Sequence, residues 1–262
     1  MSKVYLGNQK IGSVYVGSSF QGRMEMYEDP YVKNPYTWDA VIANCASGKY
    51  ASIYRIGDTI PLDLGSEGIV NMEIVGIDVD ELADGSGVAP LTWISKELLG
   101  TSKRMNPELV TNDDGTYQEG TGTIGGWSKT EMHTYMNGTV KNLIPENVRT
   151  GIKTVNKTYY GYKNSTSSSG TSFRDVCADD CWIPSYREIF GGTSCENSGP
   201  IYSAVFNSAE TRKKTKYNSS STSRWWLRSA NNASGFRYVT VSGYYSSSIA
   251  YDSNGVALGF CT

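Results

Sequence analysis

The chain has 262 residues and a net charge of -2, and 39% of its residues are hydrophobic while 19% are charged. This composition is typical of a globular protein with a full core and offers no broad basic face, so we exclude nucleic acid as a partner. No run of about 18 apolar residues predicts a membrane span, and the N-terminus lacks a signal-peptide pattern. We therefore expect synthesis in a bacterial cytoplasm and no membrane insertion.

The first 30 residues contain a short repeat. KVYLGNQKI is followed by SVYVGSSF, and in each copy apolar residues are closed by a glycine and a polar turn, which predicts a small β-hairpin arm over 1–30. We expect this arm to serve attachment or oligomerisation. Pro30 and Pro35 interrupt regular structure after it and predict the start of a main domain over 31–262.

The main domain opens with one predicted helix and one predicted hairpin. Apolar residues at helical spacing predict a helix over 36–47, which ends before Gly48. An alternating pattern with a glycine-containing turn in its middle then predicts a β-hairpin near 59–79.

Two capping boxes predict further helices. Ser128 and Glu131 precede a run of apolar residues at helical spacing, which predicts a second main helix over 128–143. Ser185 and Glu188 repeat this pattern before a pair of glycines and predict a short helix there.

Two motifs suggest ligands but have simpler interpretations. Asp78, Asp80 and Asp84 lie close together, yet Leu82 occupies the loop position where an EF-hand needs an oxygen ligand, so we predict a solvated loop. The glycine-rich stretch at 120–126 lacks the Lys and Ser or Thr of a phosphate-binding loop, and we interpret it as a turn.

The cysteines and the single histidine do not form a recognisable site in the sequence. Cys177, Cys181 and Cys195 lie near one another, but their spacing differs from the C-x-x-C pairs of zinc sites, and His133 is the chain's one histidine. His133 has no Asp, Glu or Cys beside it at ligand or triad spacing, which favours a packed or surface histidine. We predict buried thiols, no metal, no cofactor and no enzyme activity.

The C-terminal segment combines regularly placed hydrophobic residues with polar ones. The amino acids Lys, Glu, Gln, Met and Trp are absent from residues 229–262. No codon that ends in a pyrimidine encodes any of these five, whereas Asn, Ser, Tyr, Thr, Asp and Ile are all reached from an Asn codon by changing its adenines. A polar β-loop of low charge would have a similar composition and stays open as an alternative. The predicted scaffold residues are Trp226, Leu227, Phe236, Val256, Leu258 and Phe260.

The segment WWLRSANNASGFRYVTVSG, followed by NGVALGFC, resembles the C-terminal variable region of the variable proteins of diversity-generating retroelements. In that family, which includes phage tail proteins of the major tropism determinant class, adenine-directed mutagenesis rewrites the variable region. The upstream GGWSKTEMHTYMN is more loosely similar. The resemblance implies an α+β fold: a C-type-lectin-like domain with two main helices and mixed or antiparallel strands, in which about 225–262 forms the ligand-binding region.

The resemblance also implies which positions vary and contact ligand. These residues are rich in Tyr, Ser and Asn, as antibody loops are, because Tyr offers a large rigid contact area and Ser or Asn offers adaptable hydrogen bonds. The implied ligand-binding residues are Asn231, Asn232, Ser234, Tyr238, Thr240, Ser242, Tyr244, Tyr245, Ser246, Ser247, Ser248, Tyr251, Asp252 and Asn254.

These observations lead us to expect a receptor-binding protein on a phage or prophage tail fibre. Its partners would be a host cell-surface protein or glycan and a tail carrier protein, and avidity favours a homo-oligomer such as a trimer. The first alternative is a bacterial surface-display protein with the same variable domain. The second is an enzyme of the formylglycine-generating type, which shares the implied fold and needs paired reactive cysteines.

Overall fold

A computed structural model describes residues 34–164 and 171–262, together with the backbone of three short strands that precede them. These strands are β1 (Val4–Leu6), β2 (Gln9–Ile11) and β3 (Met26–Glu28). They form an antiparallel sheet in the order β1-β2-β3. The second copy of the predicted repeat, SVYVGSSF, lies outside the described residues, and the role of the arm stays a prediction.

A five-stranded antiparallel sheet forms the centre of the main domain, with the strand order β4-β5-β6-β15-β9. Its strands are β4 (Thr59–Asp63), β5 (Ile69–Glu81), β6 (Val88–Ser95), β9 (Cys181–Trp182) and β15 (Gly259–Cys261). β4 and β5 pair across a short 3₁₀ turn at Gly65–Glu67, which confirms the hairpin predicted near 59–79.

The main domain also contains three smaller sheets, all antiparallel. Two of them are two-stranded ribbons. One pairs β7 (Val155–Tyr162) with β8 (Ser172–Asp179), and the other pairs β10 (Lys214–Thr215) with β11 (Thr222–Ser223). The third sheet has the order β12-β13-β14, and its strands are β12 (Trp225–Asn232), β13 (Gly235–Val239) and β14 (Tyr245–Ile249).

The helices are short and lie between the sheets in sequence. They are α1 (Trp38–Ala46), α2 (Tyr50–Ile53), α3 (Glu131–Tyr135), α4 (Lys141–Leu143), α5 (Glu146–Arg149), α6 (Tyr186–Phe190) and α7 (Ala209–Arg212). α1 confirms the first predicted helix, since Thr37 caps its first turn and Gly48, with φ of 71°, follows its end. α6 begins at the predicted capping box of Ser185 and Glu188.

The second predicted helix exists, but its cap was placed wrongly. α3 and α4 are joined by a π-helical turn at Met136–Val140. The hydroxyl of Thr130, rather than that of Ser128, accepts the N–H of His133 in the first turn of α3. Ser128 lies in a separate 3₁₀ turn, and its hydroxyl is 3.0 Å from that of Tyr159.

The hydrophobic residues form two cores, and the C-terminal segment contributes to both. Val256, Leu258 and Phe260 belong to the larger core, whereas Ala257 belongs to the smaller core together with Trp225. The regular alternation in the sequence therefore reflects a segment buried on both sides. The fold is mixed α+β with mainly antiparallel strands. Among the described residues, no helix is both long enough and apolar enough to span a membrane.

Candidate functional site: the C-terminal sheet and its loop

The β12-β13-β14 sheet changes from buried to exposed across its width. Trp226 on β12 pairs with Tyr238 on β13, which in turn pairs with Ser246 on β14. Residues 225–230 of β12 are all buried, while β14 has no buried residue. The sheet therefore has one edge inside the protein and one edge at the surface.

The predicted C-terminal residues fall on both sides of this division. All six predicted scaffold residues are fully buried. Most predicted ligand-binding residues are accessible, and the exposed ones are Asn232, Ser242, Tyr244, Tyr245, Ser247 and Tyr251. The partly exposed ones are Asn231, Ser234, Tyr238, Thr240, Ser246, Ser248 and Asp252. We call these thirteen accessible residues the display surface.

Asn254 differs from the rest of the predicted ligand-binding set. Its side chain is buried, and its backbone N–H and carbonyl both pair with the backbone of Lys103. The chain turns back into the protein at this point because the fully buried segment starting at Val256 follows at once. Asn254 is therefore not part of the display surface.

The three exposed tyrosines of the display surface are held differently. Tyr244 is 64% exposed and Tyr251 is 42% exposed. Tyr245 is 49% exposed, yet its ring makes edge-to-face contacts with Tyr186 and Phe190, at 4.9 and 5.4 Å between ring centroids. Tyr245 thus has one packed side and one free side.

An arginine completes the contacts of Tyr245. The Arg237 guanidinium lies 5.0 Å from the ring centroid of Tyr245 and 4.4 Å from that of Tyr186, within the range of cation–π attraction. Its Nε donates to the Cys195 sulfur at 3.0 Å. Burial raises the pKa of the Tyr186 hydroxyl. These contacts fix one side of the display surface.

The turn between β13 and β14 has a defined conformation. Gly243 has φ of 82°, a left-handed value that favours glycine, and a Cβ there would collide with the carbonyl oxygen of Ala209. The Tyr244 N–H donates to the Thr240 hydroxyl at 3.1 Å. The backbone under Tyr244 is therefore held while its side chain stays exposed.

The opposite end of the sheet is supported by the glycine-rich stretch at 120–126. The hydroxyl of Thr123 donates to the carbonyl oxygen of Asn232 at 2.7 Å. The backbone N–H of Thr123 donates to the carbonyl oxygen of Ala233 at 2.9 Å. The Asn232 side-chain oxygen accepts the N–H of Gly235 at 2.9 Å. The stretch thus braces the β12–β13 turn, a role that its sequence did not reveal.

A buried ion pair lies under β12. Both guanidinium NH groups of Arg228 donate to the Glu188 carboxylate, at 2.7 and 2.8 Å, and both side chains are fully buried. Burial alone would raise the pKa of Glu188, but the Arg228 and Lys157 charges lower it to about 2. A charged Arg228 within the apolar WWLRSA was the sequence signal for such a partner.

The same cluster contains Asp80, which the sequence placed in a solvated loop. That prediction is wrong for Asp80, whose fully buried carboxylate accepts from the Lys157 ammonium at 2.5 Å and the Tyr202 hydroxyl at 2.9 Å. Asp78 instead accepts from a tyrosine, and Asp84 accepts the N–H of Ser86 within its own turn. The three aspartates therefore bind different partners.

The sequence also missed the neighbours of His133. Its Nε2 lies 2.7 Å from Oδ1 of Asp179 and 3.5 Å from Sγ of Cys177. Burial, followed by the charge of Asp179, raises the pKa of Cys177 to about 12. Both groups come from β8, a strand distant in sequence, so the residue spacing around His133 could not reveal them. The other four cysteines are buried free thiols, as predicted.

Comparison with known proteins places the chain in a family without a described function. No curated protein and no solved structure matches it. A family model described as "Domain of unknown function (DUF6273)" matches residues 98–261, a range that includes α3 and α4, the two segments of the second predicted main helix, and all of β7 to β15. Because this match covers more than half of the chain, the protein belongs to the DUF6273 family.

Proposed function

We propose that the protein binds ligands through the display surface and that this surface is diversified by adenine-directed mutagenesis. In this proposal the main domain is C-type-lectin-like, and a phage or prophage tail fibre presents it to a host cell-surface protein or glycan. The observation that carries the proposal is the division of burial. Most large apolar residues of 225–262 are packed inside, with Val241 and Ile249 as exposed exceptions, whereas the Tyr positions and most Ser and Asn positions are accessible.

The chemistry of the accessible residues suits recognition. Tyr244 and Tyr251 present large rings that lose little conformational entropy on binding, and the neighbouring serines supply hydrogen bonds. Aromatic residues also dominate the energy of protein interfaces. A surface of this kind tolerates substitution because the buried residues, and not the exposed ones, hold the sheet together.

Multivalency would strengthen a surface of this size. Linking several copies raises avidity without new contacts, so we expect a homo-oligomer such as a trimer, assembled or mounted on its carrier through residues 1–30. Light scattering on the full chain and on a chain lacking 1–30 tests this role. If both chains are monomers, residues 1–30 have no role in oligomerisation and the arm drops out of the proposal.

The state of the thiols favours binding over the enzyme alternative. A formylglycine-type enzyme needs reactive thiolates, but burial raises the pKa of Cys177 to about 12, and burial also raises the pKa of Cys195. Thiols in this state are poor nucleophiles near neutral pH. The surface-display alternative uses the same binding face and differs only in the carrier.

The decisive experiment reads the DNA around the gene. A diversified protein requires a near-copy of the segment encoding about 225–262 that differs mainly at adenines, close to a reverse-transcriptase gene. We expect the differing codons to be those of the display surface, with the codons of Trp226 and Phe260 unchanged. Genomic DNA with no such repeat would refute diversification.

A binding screen tests recognition independently of the DNA. Fluorescently labelled full-length chain is incubated with a panel of bacterial strains, and the most strongly bound strain is kept as the reference target. We expect binding to be strain-selective and to be competed by unlabelled chain.

A further inference from the structure

Three potential metal ligands converge at a point outside the display surface. His133 lies on α3, while Cys177 and Asp179 are two residues apart on β8 and so face the same side of that strand. The His133 Nε2, the Cys177 Sγ and the Asp179 Oδ1 form a triangle with edges of 3.5, 3.4 and 2.7 Å.

This arrangement does not match a nucleophilic triad. In a triad the histidine contacts the nucleophile through one ring nitrogen and the carboxylate through the other. Here both Cys177 and Asp179 approach the same atom, Nε2 of His133. A proton relay through the ring is therefore not possible, and the three donor atoms point towards one shared centre.

The triangle is close to one face of a zinc tetrahedron. Zinc lies about 2.3 Å from sulfur and about 2.0 to 2.1 Å from nitrogen or oxygen, which places sulfur about 3.5 Å from each of the other two donors. Both edges that involve Cys177 already have this length. The hydrogen-bonded edge between His133 and Asp179 has to widen by about 0.6 Å to accommodate the ion.

The surroundings hold the carboxylate and leave one side open. The Trp127 indole N–H donates to Oδ2 of Asp179 at 2.7 Å, so Oδ1 is the oxygen that faces the other donors. Asp179 is fully buried, while the His133 side chain is 21% exposed and Cys177 is partly exposed. Such hydrogen bonds to a ligand typically orient it and support metal affinity.

We propose that His133, Cys177 and Asp179 bind a divalent transition-metal ion, with Zn²⁺ as the best fit and water in the fourth position. Thiolate and imidazole ligands select against Mg²⁺ and Ca²⁺, which prefer oxygen. On binding, the Cys177 thiol and the His133 Nε2 each release any proton they carry to solvent, and no other bond changes. The ion would fasten α3 to β8.

Cobalt provides the direct test. The full-length chain is reduced, treated with a chelator and titrated with Co²⁺, and absorption reports on the ligands. We expect one Co²⁺ per chain, a thiolate-to-cobalt charge-transfer band, tetrahedral visible bands, and displacement by Zn²⁺ but not by Mg²⁺. Cys177→Ser should remove the charge-transfer band and weaken binding by more than about tenfold, since even groups that only orient ligands change affinity by that factor.

Two further measurements separate metal loss from misfolding. The control variant Cys45→Ser changes a different free thiol, one that is buried and outside the triangle, and should keep the parent spectrum. Zn²⁺ should raise the Tm of the chelated parent chain, because it binds the folded state, and should leave the Tm of His133→Ala unchanged. The proposal is overturned if the parent chain binds no Co²⁺, or if Cys177→Ser gives the parent's charge-transfer band.

Discussion

β12 and β14 belong to the same sheet, yet they differ in burial and in the kind of side chain they carry. In β12, residues 225–230 are buried without interruption, including a charged arginine, whereas β14 reads YSSSI and no residue in it is buried. Only β13 separates them. The comparison teaches that one small sheet can combine a fully packed edge with an accessible edge when most of the stabilising contacts are made by one edge strand.

Removing a buried aromatic ring from β12 tests the stable edge most severely. Trp226→Ala should lower the free energy of unfolding by about 3 to 5 kcal/mol through the cavity alone. It also leaves the Lys103 carbonyl, which accepts from the Trp226 indole at 2.8 Å, without that donor, at a further cost of about 1 kcal/mol. Urea denaturation measures the change. A loss below about 1 kcal/mol would mean that β12 is not the stable edge.

Breaking the buried ion pair attacks the same edge through electrostatics. Arg228→Met leaves the Glu188 carboxylate buried without its main partner and should cost about 3 to 5 kcal/mol in urea denaturation. The double variant Arg228→Met with Glu188→Gln removes the stranded charge and should recover part of that loss. Equal stability of the single and double variants would contradict this explanation.

Features that depend on neighbouring residues could be predicted from the sequence, whereas contacts between distant residues could not. Local patterns predicted α1, the β4–β5 hairpin and the buried Phe236, because periodicity and capping depend on neighbouring residues. Arg228 and Glu188 meet across 40 positions, and His133 meets Asp179 across 46. Such pairs depend on how strands and helices pack, which no local pattern encodes. Asn254 was misplaced for the same reason, since its burial depends on its pairing with Lys103.

Tyr245 is intermediate between the buried residues of β12 and the freely exposed residues of β14, because one side of its ring is packed. Its two edge-to-face contacts, with Tyr186 and Phe190, predict that Tyr245→Ser lowers the free energy of unfolding by about 1 to 2 kcal/mol. Tyr245→Phe keeps the ring and should retain parent stability. Thermal unfolding of both variants measures this, and an unaltered Tm for Tyr245→Ser would place Tyr245 with the accessible residues whose side chains do not stabilise the fold.

The smallest effect on stability should accompany the largest effect on binding. Tyr244 and Tyr251 are accessible, and substitutions at such positions typically change stability by no more than about 0.5 kcal/mol. The double variant Tyr244→Ser with Tyr251→Ser should therefore keep the parent Tm. It should nevertheless lose binding to the reference strain, because exposed aromatic residues supply most of the energy of such interfaces.

A matched tyrosine elsewhere shows whether position or mere exposure matters. Tyr36 is 40% exposed, close to the value for Tyr251, and it precedes α1, far from β14 in sequence. Tyr36→Ser should leave strain binding unchanged. If it weakens binding as much as the double variant does, recognition does not reside in the display surface. If the double variant unfolds, Tyr244 and Tyr251 stabilise the fold. That result would contradict the division of the sheet into a stabilising β12 edge and an accessible β14 edge.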